Sequence, residues 1–132
     1  GRDLNEAWRD GAEAYLGITV HGFPNLFMLY GPNTNLGHNS IVYMLESQIA
    51  YVLSALEEME RPGVGGLEVN AEVQDRFNRD IQTRLRDSVW GQGCDSWYKT
   101  ESGKNTNNGP GFTFRYRRRT RRLDPRDYEL HP

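Results

Sequence analysis

The side chains that ordinarily do chemistry are few in this sequence and poorly spaced for working together. His21, His38, His131 and the single cysteine, Cys94, show no metal-ligand spacing, so no metal centre is expected. No particular histidine pairs with Cys94, which leaves a thiol nucleophile without its base. His38 closes the run Leu36-Gly37-His38 and has no visible orienting partner. It reads as a hydrogen-bonded or pocket-lining histidine rather than an acid–base catalyst. Trp90, Trp97 and Tyr98 read as packing anchors. The one dense chemical feature is Arg115, Arg117, Arg118, Arg119, Arg121 and Arg122, interleaved with Phe112, Phe114 and Tyr116. Guanidinium groups and rings in that mixture suit nucleic acid or another polyanion, which makes a small binding module one reading. A pI of 5.9 and a first half whose charges are mostly acidic weigh against it. The bland alternative is a basic surface helix packed on acidic surface.

The elements that would position a site centre on residues 26–60. Leu26 to Tyr30 is a continuous apolar run between Pro24-Asn25 and Gly31-Pro32, which reads as a short buried strand, with a buried turn the alternative for so short a run. From Ile41 the period changes. Ile41, Met44, Leu45, Gln48, Ile49, Val52, Leu53 and Leu56 recur at helical spacing and predict a long helix, about 39–59, with that stripe buried. Asn39 or Ser40 is its expected cap. Strand, small-residue loop and helix start together make a place where open N–H groups and the helix dipole favour an anionic or carbonyl-bearing ligand. On pattern alone an ordinary strand-to-helix crossover is favoured, because neither Walker nor dinucleotide glycine spacing follows Gly31 and Gly37.

The particular residues around this unit resemble a known family. Gly22-Phe23-Pro24-Asn25-Leu26-Phe27, Gly31-Pro32-Asn33 and a helix carrying Glu46-Ser47-Gln48 are similar to the C-terminal part of class B flavoprotein monooxygenases, the Baeyer–Villiger and flavin-containing enzymes. Gly1-Arg2-Asp3-Leu4, Trp8, Tyr15-Leu16-Gly17-Ile18-Thr19 and the stretch from Cys94 to Tyr128 fit the same pattern, so the resemblance runs over nearly the whole chain. It implies an FAD- and NADPH-dependent monooxygenase, either inserting oxygen beside a ketone or oxygenating a heteroatom. It also implies that Asn39, Ser40 and Ile41 meet the pyrimidine end of the flavin, and that Leu36, Gly37 and His38 line the substrate pocket. The family's two GxGxxG motifs, the fingerprint between them and a catalytic arginine are absent here. The expectation is therefore the last quarter or so of such an enzyme, inactive alone, partnered by the FAD and NADPH domains of its own polypeptide and prone to self-association without them. No catalytic residue is assigned within the chain.

The remaining features set the frame. With 132 residues and a net charge of −2, one domain with a modest core is the upper bound. The expected fold class is mixed α/β, part of an FAD-binding Rossmann-like domain: two main helices, a few short strands and a loop-rich C-terminal arm. Residues 1–60 would form the strand–loop–helix portion and 61–132 an extension. No apolar run approaches the roughly 20 residues of a membrane span. A lone cysteine and an N-terminus without a signal pattern suggest the cytoplasm. Leu4, Ala7 and Trp8 predict one helical turn, and Tyr15 to Val20 a short strand or extended segment. Leu67 to Val69 predicts another strand. A second helix, about 71–89, should be capped by Asn70 and striped by Val73, Phe77, Ile81, Leu85 and Val89. Ser96 to Lys99 reads as a possible strand. Phe112 to Arg122 fits either period; the resemblance favours a helix ending at Asp124-Pro125.

Overall fold

The computed structural model describes residues 1–35, 40–87 and 99–132. Helix α1 (Leu4–Ala7) is followed by the long α2 (Ile41–Met59), strand β1 (Gly66–Val69), α3 (Ala71–Arg86), α4 (Thr113–Arg119), a 3₁₀ turn (Pro125–Asp127) and β2 (Tyr128–His131). The mixed helix-and-strand class expected from the sequence is what is found. Val89, Trp90, Cys94, Trp97 and Tyr98, with most of the expected strand at 96–99, lie outside the described residues.

The core is built around a turn rather than a strand. Residues 14–20 are all buried, yet Leu16 (φ 56°) and Gly17 (φ 69°) reverse the chain, and the Tyr15 N–H donates to Thr19 O at 2.8 Å. The segment expected as a short strand or extended stretch is therefore a tight buried turn. Its backbone approaches the next loop closely: a Cβ on Gly17 would sit 2.1 Å from Thr34 Cγ2, and one on Gly31 would sit 2.2 Å from Gly17 O. Only glycine fits at both places. Around the turn pack Tyr51 and Ala55 of α2, Leu67 and Val69 of β1, Leu123 and Tyr128.

Leu26 to Tyr30 does not form the expected strand. Positive φ at Asn25 (60°) and Tyr30 (59°) breaks extension at both ends, and no described segment runs a ladder alongside; Met28 N–H to Ile18 O, 2.7 Å, is an isolated bond. Leu29 and Tyr30 are exposed. The strand pairing lies elsewhere, in an antiparallel ribbon of β1 and β2 with Leu67 opposite Leu130 and Val69 opposite Tyr128. Asn25 extends that ribbon by one residue. Its backbone N–H donates to Leu67 O at 3.0 Å while its Oδ1 accepts from the Leu67 N–H at 2.9 Å.

Helix α2 buries a different face from the one its stripe suggested. Met44, Ser47, Gln48, Tyr51, Ser54 and Ala55 face the core, whereas Ile41, Val42, Ile49, Leu53 and Leu56 are exposed. Small residues explain the choice, because Ser47, Ser54 and Ala55 let the turn and α4 come close. The two serines satisfy themselves against Tyr43 O and Tyr51 O. Ser40 occupies the N-cap position, but its side chain makes no capping bond. Asn70 likewise sits at the N-cap of α3 while its side chain donates to Arg126 O at 3.1 Å, tying α3 to the 3₁₀ turn instead. On α3, Ile81 and Leu85 are buried as expected, joined by Gln74 and Asn78. Val73 and Phe77 are half-buried, Phe77 meeting Tyr15 edge-on at 5.4 Å. Helix α4 falls within the expected helical span but stops at Thr120, whose Oγ1 donates back to Tyr116 O; Asp124 caps the 3₁₀ turn.

Candidate functional site

Of the residues singled out for the flavin edge, Ser40 and Ile41 are described; Asn39 and the pocket-lining Leu36, Gly37 and His38 lie outside the described residues. Ser40 and Ile41 open α2. The first N–H groups of a helix have no intrahelical acceptor, and here Ser40 does not supply one. No acidic residue stands in the first turn, and Ser40, Ile41 and Val42 are exposed. Among the described residues, none caps the positive end of this five-turn helix with a side chain, and its first turn carries no carboxylate to offset the dipole.

The chain entering this site is held on two sides. At Tyr30 the backbone N–H donates to Gln48 Oε1 at 2.7 Å, and Thr34 Oγ1 donates to Gly31 O at 2.7 Å. Farther along, the Asn33 N–H donates to Thr106 O, and Asn33 Nδ2 donates to both Asn105 O (2.7 Å) and Asn108 O (2.9 Å). The Asn35 N–H reaches Asn107 O, and Gly109 N–H returns to Asn35 O. The C-terminal arm therefore zips onto residues 33–35 by backbone bonds. Asn33, Asn105 and Asn108 are buried, and the Nδ2 groups of Asn105 and Asn108 have no acceptor among the described residues. Asn33, Gln48 and Tyr116 entered the sequence reading only as parts of family-like or patterned stretches, and none of them, nor Asn105 or Asn108, was assigned a part in holding this loop. A glutamine inside an apolar stripe was the one available signal. A cavity of about 310 Å³ borders Asn33 and Met44 and reaches Phe77 and Arg115.

The arginine-rich segment is engaged with its own chain at several points. Arg117 lies 3.8 Å from Glu46 and stacks over Tyr43 at 4.5 Å; Arg122 lies 3.5 Å from Glu57; Arg119 covers Phe77 at 5.4 Å. Exposed pairs of this kind stabilise by about 0–1 kcal/mol each, so they orient α4 more than they hold it. His21 and His131 both meet the Glu68 carboxylate at 3.3 Å, and the Gly22 N–H also donates to it. Among the described residues no group of three or more His, Cys, Asp or Glu is arranged to hold a metal ion.

Comparison with known proteins defines the class first. The structure matches part of a steroid monooxygenase solved with NADP at a TM-score of 0.85 and 25% identity, covering 99% of this chain and 25% of that one. Cyclohexanone monooxygenase from Rhodococcus shares the fold at a TM-score of 0.78 and 22% identity. The chain thus has the fold of a segment of the Baeyer–Villiger-type flavin monooxygenases. In sequence it is 56% identical over 132 residues to a Baeyer–Villiger monooxygenase of Pseudomonas aeruginosa and 40% identical to one of Streptomyces coelicolor. It is 37% identical to an FAD-binding monooxygenase of Aspergillus niger. It is a relative of these enzymes over 98% of its own length, and it spans about a quarter of theirs. No family model matches the chain. Among the described residues, no helix is long and apolar enough to cross a membrane.

Proposed function

We propose that this chain is the C-terminal part of an FAD- and NADPH-dependent monooxygenase that carries out Baeyer–Villiger or heteroatom oxygenation. The observation that carries the reading is the 56% identity to a Baeyer–Villiger monooxygenase across 98% of the chain. In this reading Asn39, Ser40 and Ile41 hold the pyrimidine edge of the flavin, and Leu36, Gly37 and His38 line the substrate pocket. The start of α2, where Ser40 makes no capping bond and no carboxylate stands in the first turn, fits that group. Bound flavin supplies the oxygen-activating redox chemistry. The chain's own share is to donate N–H groups to the ring edge and to place positive helix-end potential beside it, a contribution of about 0.3–1 kcal/mol at an exposed site and more when the rest of the protein excludes water. His38 shapes the pocket rather than moving a proton.

The chain does not do this alone. Dinucleotide binding needs the glycine turn of a βαβ unit, and this sequence has none. A contact of about 1 kcal/mol cannot offset the several kcal/mol lost on immobilising a ligand. Its partner is the remainder of the same polypeptide. Two measurements test the proposal. Titrating the isolated chain with FAD should leave flavin fluorescence unchanged, and micromolar saturable binding would refute the incomplete-site reading. The full-length protein should be yellow and should consume NADPH in the presence of a ketone or thioether; a colourless protein indifferent to both would sink it.

A further inference from the structure

Gln48 is completely buried, yet it lies in the middle of a helix and uses both ends of its amide on other segments. Oε1 accepts from the Tyr30 N–H at 2.7 Å, and Nε2 donates to the Tyr116 hydroxyl at 3.2 Å. That hydroxyl in turn donates to Leu16 O at 2.6 Å. The directions are mutually determined. A backbone N–H requires the amide oxygen, so the NH₂ faces the phenol, and the phenol spends its proton on the Leu16 carbonyl. One side chain therefore joins α2 to the loop, and through Tyr116 to α4 and the buried turn.

The placement has a consequence for the candidate site. Residues 30–40 leave Tyr30 and end at Ser40, where α2 begins, and Gln48 sits about two turns farther along that same helix. The described part of this segment, residues 30–35, is thus tied at Tyr30, through the Gln48 bond, to the same helix that begins after Ser40. Tyr30 has φ 59°, an uncommon conformation for a large residue, so the bond holds a backbone turn that would otherwise relax.

We propose that Gln48, backed by Tyr116, is a positioning residue: it sets where residues 30–35 lie relative to the start of α2, and makes substrate selection sensitive to α4. This rests on the function proposed above. The kinetic arm depends on that function, while the exchange arm does not. In the full-length protein, Gln48→Met removes both bonds at similar volume. Tyr116→Phe keeps the Tyr30 bond and removes only its backing, so it should fold even if the first variant does not.

Amide hydrogen exchange at Tyr30 to Asn35 should quicken roughly tenfold in Gln48→Met and a few-fold in Tyr116→Phe, the scale expected when a buried hydrogen bond is lost. Exchange in β1 and β2 should stay unchanged. In the same samples, KM for a ketone substrate should rise several-fold while kcat per bound flavin stays within about twofold. Unchanged exchange at 30–35 in both variants would overturn the tether. Faster exchange with wild-type KM would show Gln48 to be merely structural and would overturn its positioning role. Faster exchange in a protein that never oxygenates a ketone or thioether would support the tether and reject the proposed function instead.

Discussion

At the scale of single residues, the site loop depends on one close approach. Gly17 combines φ 69° with a space in which any Cβ would meet Thr34 Cγ2 at 2.1 Å and Pro32 O at 2.9 Å. Thr34 could turn aside, but Pro32 O is backbone of the loop that leads to the candidate site. Gly17→Ala should therefore cost about 2 kcal/mol or more, from backbone strain and displacement together. Thermal unfolding of the full-length variant measures this, and an unchanged midpoint would show that the two loops are not locked. Some of this was legible beforehand. Tyr15-Leu16-Gly17 and Gly31-Pro32-Asn33 stood out as family-like, and Leu67 to Val69 read as a strand. What a linear reading had no means to show was that Gly17 and Gly31 touch, or that Asn33 is gripped by Asn105 and Asn108 from more than 70 residues away.

At the scale of elements, α2 carries the main lesson. Its helical period was plain in the sequence, and so was its length: about 39–59 expected, Ile41–Met59 found. The face that turns inward was not, because hydrophobic periodicity shows that a stripe will be covered without saying by what. Within this chain the covering goes to Ser47, Tyr51, Ser54 and Ala55, while Ile49 and Leu53 stand about half exposed. Leu26 to Tyr30 failed as a strand for a related reason. An apolar run is compatible with extension, but no described segment pairs along it, and left-handed residues end it on both sides. The proposed function makes the exposed stripe of α2 the expected seat for the remaining polypeptide in the full-length protein. Ile49→Lys with Leu53→Lys should then leave the isolated chain's fold intact and lower its self-association in sedimentation. In the full-length protein the same pair should reduce stability by several kcal/mol, since burying each apolar side chain contributes about 1.5–3 kcal/mol. Equal effects in both settings would mean that nothing packs there.

At the scale of the whole molecule, the two ends of the sequence are sewn together by hydroxyl groups. Thr19 Oγ1 meets the Tyr128 hydroxyl at 2.9 Å, which meets the Tyr51 hydroxyl at 3.0 Å; Tyr15 donates to Asp127 at 2.7 Å. Burial disfavours each phenolate. It pushes Tyr15 up to about 12, helped by the Asp127 carboxylate that accepts its proton, and moves Tyr51, Tyr116 and Tyr128 upward as well, with Tyr128 adding to the effect on Tyr51. The linkage sign follows. Above the ordinary phenol value near 10, the unfolded chain sheds these protons while the folded one keeps them, so unfolding is increasingly favoured as pH rises. Stability from this source is complete below about pH 10 and is lost as pH rises above it, the Tyr15 share being gone once pH has climbed through its folded-state value near 12. Alkaline unfolding of the full-length protein, followed by circular dichroism together with phenolate absorbance, should show ionisation and loss of structure in one transition. Tyr51→Phe removes one of the buried ionisations while leaving Tyr128 its Thr19 partner, so the slope of stability against pH above 10 should become shallower. A slope unchanged by Tyr51→Phe, or buried tyrosines ionising well before the structure is lost, would show that the hydroxyl web does not set the alkaline limit.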